Sequence, residues 1–223
     1  MIAKKLSLTI LSCFLFYVIK AQQLISEGTI TYKITISGKI ASQDKQPPLT
    51  ETKNGTVTIK IKGDNVRQDI TLEDGYQHSQ ITNFATGKEI ILQSVNDMKY
   101  AIEINISDKE KQNSKYFNAT LQPGKEAKTF GGNEAISATI TYKDKTTLPL
   151  FILPDFYLNY PEIFERFPDI KGIPASYDLV LDNGFTTHFE LTEMNEKPVD
   201  NITFRIPVGY RIIKQKEYEK LLK

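Results

Sequence analysis

Strict alternation of apolar and polar residues is the feature of this sequence that most restricts its fold. Ile30, Tyr32, Ile34 and Ile36 occupy every second position of residues 28–37, with threonine, lysine and serine among the residues around them. The same alternation returns in residues 57–61, 98–106, 136–142, 177–181, 185–191 and 202–206. A period of two buries one face of each strand and exposes the other, which is typical of antiparallel sheets.

Turn-forming residues separate these runs. Glycine, asparagine and aspartate accept the backbone angles of tight turns at little cost, and they cluster at 62–65, 73–75, 85–88 and 182–184. Polar residues dominate 43–53 and 107–114, which are predicted loops. We therefore predict a mainly β domain, a meander of hairpins with about ten strands in a sandwich or barrel.

One segment breaks the alternation. Residues 146–170 contain six aromatic residues and four of the ten prolines of the chain. Because each proline removes a backbone donor, a long helix or a central strand is disfavoured there. We predict that short helices over about residues 150–168 cover the apolar face of the sheet. A short basic helix is predicted at the C-terminal end, over residues 214–222.

The first 21 residues have the composition of a secretory signal peptide. Two lysines precede an apolar run over residues 6–19, and Ala21 stands before a pair of glutamines. We expect cleavage after Ala21, which leaves residues 22–223 as a single exported domain. A second interpretation is lipidation of Cys13, which follows a loose lipobox.

Removal of that segment changes the charge and the cysteine content. Lysine plus arginine falls from 28 to 25 against 27 aspartate plus glutamate, so the formal charge becomes −2. A chain with this charge is not a general nucleic-acid binder. Cleavage after Ala21 also removes the only cysteine, so the exported domain has no disulfide and no thiolate chemistry.

No motif for catalysis or cofactor binding is present in the sequence. A Gly-x-Ser-x-Gly elbow, a His-Glu-x-x-His helix and a phosphate-binding glycine loop are all absent. His78 and His188 are the only histidines, and we interpret both as solvated strand residues. We expect no metal, no cofactor, no transmembrane segment in the exported domain and no enzymatic activity.

The order of these parts resembles secreted bacterial families of unknown function that share the fold of the outer-membrane lipoprotein carriers LolA and LolB. The similarity covers most of residues 25–210 and includes two short motifs, Gly-Ile-Pro at 172–174 and Ile-Pro-Val-Gly-Tyr at 206–210. It implies an unclosed β-barrel, a curved antiparallel sheet whose concave apolar face is covered by short helices. In LolA and LolB this concavity receives acyl chains.

Two functions stay open at this point. In the first, the concave face shelters an apolar ligand or a lipid-modified partner of an exported protein, in the periplasm or at the outer membrane. In the second, the protein is a structural or interaction module of the cell envelope, and its own side chains fill the concavity. The predicted ligand-binding residues are Tyr32, Tyr100, Phe151, Phe156, Tyr157, Tyr160, Phe164 and Phe167. Burial of each methylene contributes about 0.8 kcal/mol, so an acyl chain could bind without catalytic residues.

Overall fold

A computed structural model describes residues 22–40, 49–95, 98–181 and 184–221. The predicted signal peptide, Cys13, most of the loop predicted at 43–53 and most of the turn at 182–184 lie outside these residues. The strands are β1 (Gln23–Leu24), β2 (Glu27–Ile40), β3 (Leu49–Lys62), β4 (Asn65–Leu72), β5 (Gln77–Asn83), β6 (Lys88–Val95), β7 (Met98–Asn105), β8 (Thr120–Phe130), β9 (Asn133–Thr141), β10 (Thr147–Leu153), β11 (Phe156–Tyr157), β12 (Ile173–Val180), β13 (Thr186–Asn195) and β14 (Arg211–Lys214). The α-helices are α1 (Ile106–Gln112) and α2 (Gln215–Leu221), and three 3-10 turns are Ser114–Tyr116, Pro161–Ile163 and Asn201–Phe204. Within the described ranges, no helix has the length and hydrophobicity needed to cross a bilayer.

Twelve of the strands form one sheet in the order β14-β7-β6-β5-β4-β3-β2-β13-β12-β10-β9-β8. All neighbours in it are antiparallel except β14, which runs parallel to β7. Among the described residues no pairing joins the end strands β14 and β8, so the sheet is unclosed. β1 and β11 pair separately and in parallel. The mainly β, unclosed fold that the sequence predicts is confirmed.

The pairing register explains how the alternation builds one apolar face. Tyr32 of β2 stands opposite Val57 of β3 and Leu191 of β13, and all three side chains are buried. Residues opposite one another on paired strands share a face of the sheet. Leu179 of β12 and His78 of β5 border the same cavity, although four strands separate β12 from β5. This face of the sheet is therefore concave.

The curl of the sheet brings the turn between β8 and β9 against β13. Gly131 in that turn has a φ of +54°, and a Cβ built on it would lie 3.2 Å from the backbone nitrogen of Glu193. Glycine suits both demands, because it adopts positive φ without strain and leaves room for a close approach of two backbones.

The segment that breaks the alternation crosses the concave face with less helix than predicted. Thr147–Leu153 is strand β10, and helical backbone in the rest of the segment is limited to the 3-10 turn at Pro161–Ile163. Pro149 is tolerated because pairing to β12 begins one residue later, at Leu150. We call residues 158–170 the strap. Its side chains buried in the main core are Leu158, Phe164, Phe167 and Ile170.

Two further sequence predictions differ from the structure. Helix α1 occupies most of the loop predicted at 107–114, because its lysines, glutamate and glutamine are good helix formers. The strand predicted at 202–206 is instead a 3-10 turn, in which the Asp200 side chain accepts a hydrogen bond from the backbone of Ile202. Phe204 and Ile206 pack against Ile81, Leu92 and Ala101 of the sheet, whereas Ile202 is 65% exposed. The predicted C-terminal helix is present as α2.

Candidate functional site

A cavity of about 290 Å³ lies on the concave face, between the strap and strands from both halves of the sheet. Its apolar lining consists of Tyr32, Val57, Ile59, Ile70, Ile163, Phe164, Phe167, Tyr177, Leu179, Leu181 and Phe189. At about 30 Å³ for each water molecule, this volume corresponds to roughly ten waters. It falls at the lower end of the range of ligand pockets, about 300–1,000 Å³.

Aromatic rings in mutual contact form the rigid part of this lining. The rings of Tyr177 and Phe189 are stacked, with centroids 4.7 Å apart, and Phe167 meets Tyr177 edge-on at 4.9 Å. Tyr32 lies 6.5 Å from both Phe164 and Tyr177 in T-shaped arrangements. The Tyr32 hydroxyl donates a 2.7 Å hydrogen bond to a backbone carbonyl, so this buried phenol is satisfied.

Three of the eight predicted ligand-binding residues meet at this cavity, namely Tyr32, Phe164 and Phe167. Phe164 is 5% exposed and Phe167 3% exposed, and both belong to the main hydrophobic core. They therefore form a fixed wall of the cavity. The strap fills part of the concavity with its own side chains and leaves the neighbouring part as the cavity.

Two predicted residues lie elsewhere, which corrects the expectation of one shared site. Alternation along β10 places Leu150 on the concave face and Phe151 on the convex face, where its ring lies 5.4 Å from that of Phe130. Phe151 borders a separate cleft of about 320 Å³ there. Tyr100 shares the concave face but sits on β7, near the far edge of the sheet, where it packs against Tyr218 of α2.

The remaining three predicted residues are close to where the strap begins and outside the cavity lining. Phe156 is half-buried, and Tyr157 is 36% exposed on the short strand β11. Tyr160 stacks on Phe84 with centroids 4.2 Å apart and donates a 2.6 Å hydrogen bond to the Asp64 carboxylate. These contacts attach the strap to the turns that follow β3 and β5.

Sequence reasoning missed a polar wall on the same cavity. Gln68 of β4, His78 of β5 and Gln80 of β5 border it, and all three are half-buried. His78 is therefore not the solvated strand residue that we predicted. Burial lowers the pKa of His78, and the nearby Lys109 ammonium lowers it further, so the ring is neutral at neutral pH. The sequence of β5 gives little signal for this wall, because Ile81 is the one apolar residue of the strand.

A partly buried ion-pair cluster fixes the strap beside this wall. The Lys109 ammonium of α1 lies 2.9 Å from a Glu89 carboxylate oxygen and 2.6 Å from a Glu165 carboxylate oxygen. Glu89 is 3% exposed and also accepts a 2.6 Å hydrogen bond from Gln80. Burial opposes the charge of Lys109, but the two carboxylates outweigh it and raise its pKa. The cluster joins α1, β6 and the strap.

The second histidine lies on the convex face, as a solvent-exposed partner of two carboxylates. His188 Nδ1 is 2.6 Å from an Asp178 oxygen, and Nε2 is 4.0 Å from a Glu190 oxygen. In the part of the chain that the structure describes, no three histidine, cysteine, aspartate or glutamate residues are grouped as metal ligands.

Comparisons with known proteins find similarity in solved structures only. No protein-family profile matches the chain, and no curated protein matches it. The crystal structure of MucB is similar with a TM-score of 0.43 and 12% identity, over 83% of this chain and 59% of that one. The Pseudomonas aeruginosa MucA/MucB complex gives 0.41 and 12%, over 85% and 59%. PNGF-II gives 0.42 and 12%, over 86% and 32%.

The chain thus spans less than two thirds of the length of these solved structures. Similarity at this level carries no information on a ligand, a partner or a location for this chain. The resemblance to LolA and LolB stays a resemblance of architecture, based on the unclosed curved sheet and the segment that crosses it.

Proposed function

We propose that this is an exported, non-enzymatic binding protein that holds an apolar ligand, or the lipid chain of an acylated partner, in the concave-face cavity. The observation that carries the proposal is the cavity of about 290 Å³ with aromatic and aliphatic walls. Leu181 at its rim is 37% exposed, which offers an entrance from solvent. Export rests on the predicted signal peptide.

Hydrophobic transfer supplies the affinity in this proposal. Transfer of roughly ten methylenes from water into the cavity contributes about 8 kcal/mol to the binding free energy before the cost of association is subtracted. Because that cost is several kcal/mol, we expect a ten-carbon chain to bind with a dissociation constant of about 0.1–1 mM. The stacked rings of Tyr177 and Phe189 are already in contact, so little side-chain ordering is needed on binding.

A second candidate function is a structural or interaction module without a ligand. The observation in its favour is the strap, whose Phe164 and Phe167 occupy the concavity as core residues. The two candidates differ in what a blocked cavity does. If the protein binds an apolar chain in the cavity, a side chain that fills the cavity should abolish uptake of that chain. If the protein is an interaction module without a ligand, neither the wild type nor the blocked variant takes up a chain.

Uptake of the apolar dye N-phenyl-1-naphthylamine tests the proposal. Leu179 lines the cavity, so we expect Leu179→Trp to weaken dye binding at least tenfold. Val180 is 69% exposed and points to the convex face, so Val180→Trp is the matched control and should bind like the wild type. Circular dichroism melting of each variant verifies the fold. Absence of dye uptake by the wild type would overturn the proposal in favour of the second candidate.

A further inference from the structure

We infer that the ligand of the concave-face cavity is a single-chain amphiphile with an uncharged, hydrogen-bonding head group, which is received by Gln68, His78 and Tyr177. The chemical class is a hydroxyl, ester or amide carried on one apolar chain. This inference rests on the proposed function, which accounts for the apolar chain. The volume of about 290 Å³ restricts the ligand to a single short chain.

The cavity contains polar groups that the protein itself leaves unpaired. The side chains of Gln68 and His78 line the cavity and make no hydrogen bond to any residue in the described ranges. Tyr177 is 8% exposed and lines the cavity too, and its hydroxyl has no hydrogen-bond partner among the described residues. A ligand that buries these groups without hydrogen-bonding to them binds more weakly, because the groups lose their hydrogen bonds to water. A polar head group replaces those hydrogen bonds.

The three groups are uncharged at neutral pH. Burial lowers the pKa of His78, with Lys109 acting in the same direction, so the imidazole is neutral. Burial raises the pKa of the Tyr177 phenol, which stays protonated. Imidazole, phenol and amide each offer a hydrogen-bond donor and an acceptor. This set matches a hydroxyl, ester or amide, and it offers no counter-charge to a carboxylate or an ammonium.

The charged residues at the border of the cavity are already engaged. Glu165 pairs with Lys109 at 2.6 Å. The Arg166 guanidinium lies 4.5 Å from the ring centroid of Tyr116, a residue outside the cavity lining. A cationic head would have to compete with Lys109 for the Glu165 carboxylate, and an anionic head would have to draw the Arg166 guanidinium away from Tyr116. Without such a rearrangement a charged head would be buried without a partner, which is costly in a water-poor site, so the arrangement favours an uncharged head.

Three ligands with a ten-carbon chain test the inference: monodecanoylglycerol, decanoate and decyltrimethylammonium. Each is titrated into the purified protein at pH 7.5, and displacement of N-phenyl-1-naphthylamine gives its affinity. We expect monodecanoylglycerol to bind at least tenfold more tightly than either ion. Gln68→Leu and His78→Leu should each lower the affinity for monodecanoylglycerol, relative to the affinity for the dye, at least fivefold. Tyr177→Phe, which removes only the hydroxyl, should weaken the binding of monodecanoylglycerol as well.

His188→Leu is the matched control, because His188 lies on the convex face and should leave all three affinities unchanged. Equal affinities for the three ligands, or variants that keep the wild-type preference, would overturn the inference while dye uptake still supports the proposed function. Tighter binding of decanoate would also overturn it and assign an anionic head. If the wild type takes up no dye, the proposed function and the inference both fall.

Discussion

At the scale of single residues, Glu89 carries a charge in the interior of the protein. Its carboxylate is 3% exposed and depends on the Lys109 ammonium for its counter-charge. Removal of one partner from a buried ion pair leaves the other charge uncompensated. Lys109 also pairs with Glu165 and thereby connects α1 to the strap. Loss of the Lys109 ammonium should therefore destabilise the packing of both elements.

We predict that Lys109→Met lowers the free energy of unfolding by about 3–5 kcal/mol, because it leaves Glu89 buried and unpaired. Lys111 on the same helix is the control, since its side chain is 78% exposed and it pairs with Asp108 at the surface. Lys111→Met should change stability by less than about 0.5 kcal/mol. Urea unfolding measures both, and equal midpoints for the two variants would contradict the prediction.

His78 gives the protein a predicted dependence of stability on pH. In the unfolded chain its pKa is near 6.5, and in the folded chain burial and Lys109 lower it, partly opposed by Glu165. Between those two values the unfolded state binds more protons, so stability falls as the pH drops through 6.5. Urea unfolding at pH 7.5 and 5.5 should show a smaller loss for His78→Gln than for the wild type. The same loss in both proteins would contradict this assignment.

The two histidines show why residue roles were hard to predict from the sequence. His78 and His188 both lie on strands among polar neighbours. Register separates them, because His78 pairs with Ile70 on the concave face, whereas His188 pairs with Asp178 on the convex face. Pairing between strands is a long-range property that local sequence does not contain.

At the scale of elements, the strap combines two tasks, since it completes the core and forms one wall of the cavity. Phe164→Ala should lower the free energy of unfolding by about 3–5 kcal/mol, as expected for a large cavity in a core. Tyr157→Ala, at an exposed position just before the strap, should cost far less. Thermal unfolding by circular dichroism compares them. A Phe164→Ala protein as stable as wild type would show that the strap is not part of the core.

Elements were predictable where one face of a strand is buried and the other is wet. Alternation identified β2, β9, β12 and β13 for that reason. The segment 146–170 was predicted wrongly, because its prolines disfavoured a central strand and short helices were expected in its place. The apolar residues of β10 are instead held between β9 and β12, where tertiary pairing outweighs the local signal of Pro149. Helix α1 was missed because charged residues suit both helices and loops.

At the scale of the whole molecule, one curved sheet has a concave side whose two parts are filled differently. The strap occupies one part, and the cavity between Ile70, Leu179 and Phe189 occupies the other. The curved, unclosed sheet was predictable from alternation together with the resemblance to the LolA and LolB fold. The division of the concavity was not, because it depends on how far the strap reaches across the sheet.

The central claim is that an apolar chain enters this cavity, and quenching of a single tryptophan by a brominated acyl chain tests it most directly. The native chain contains no tryptophan, so the indole of a Leu181→Trp variant at the rim is a unique reporter. Val180→Trp places the indole on the opposite face. We predict saturable quenching of the Leu181→Trp variant by brominated monodecanoylglycerol and none for Val180→Trp. Equal quenching of both, or of neither, would contradict the claim.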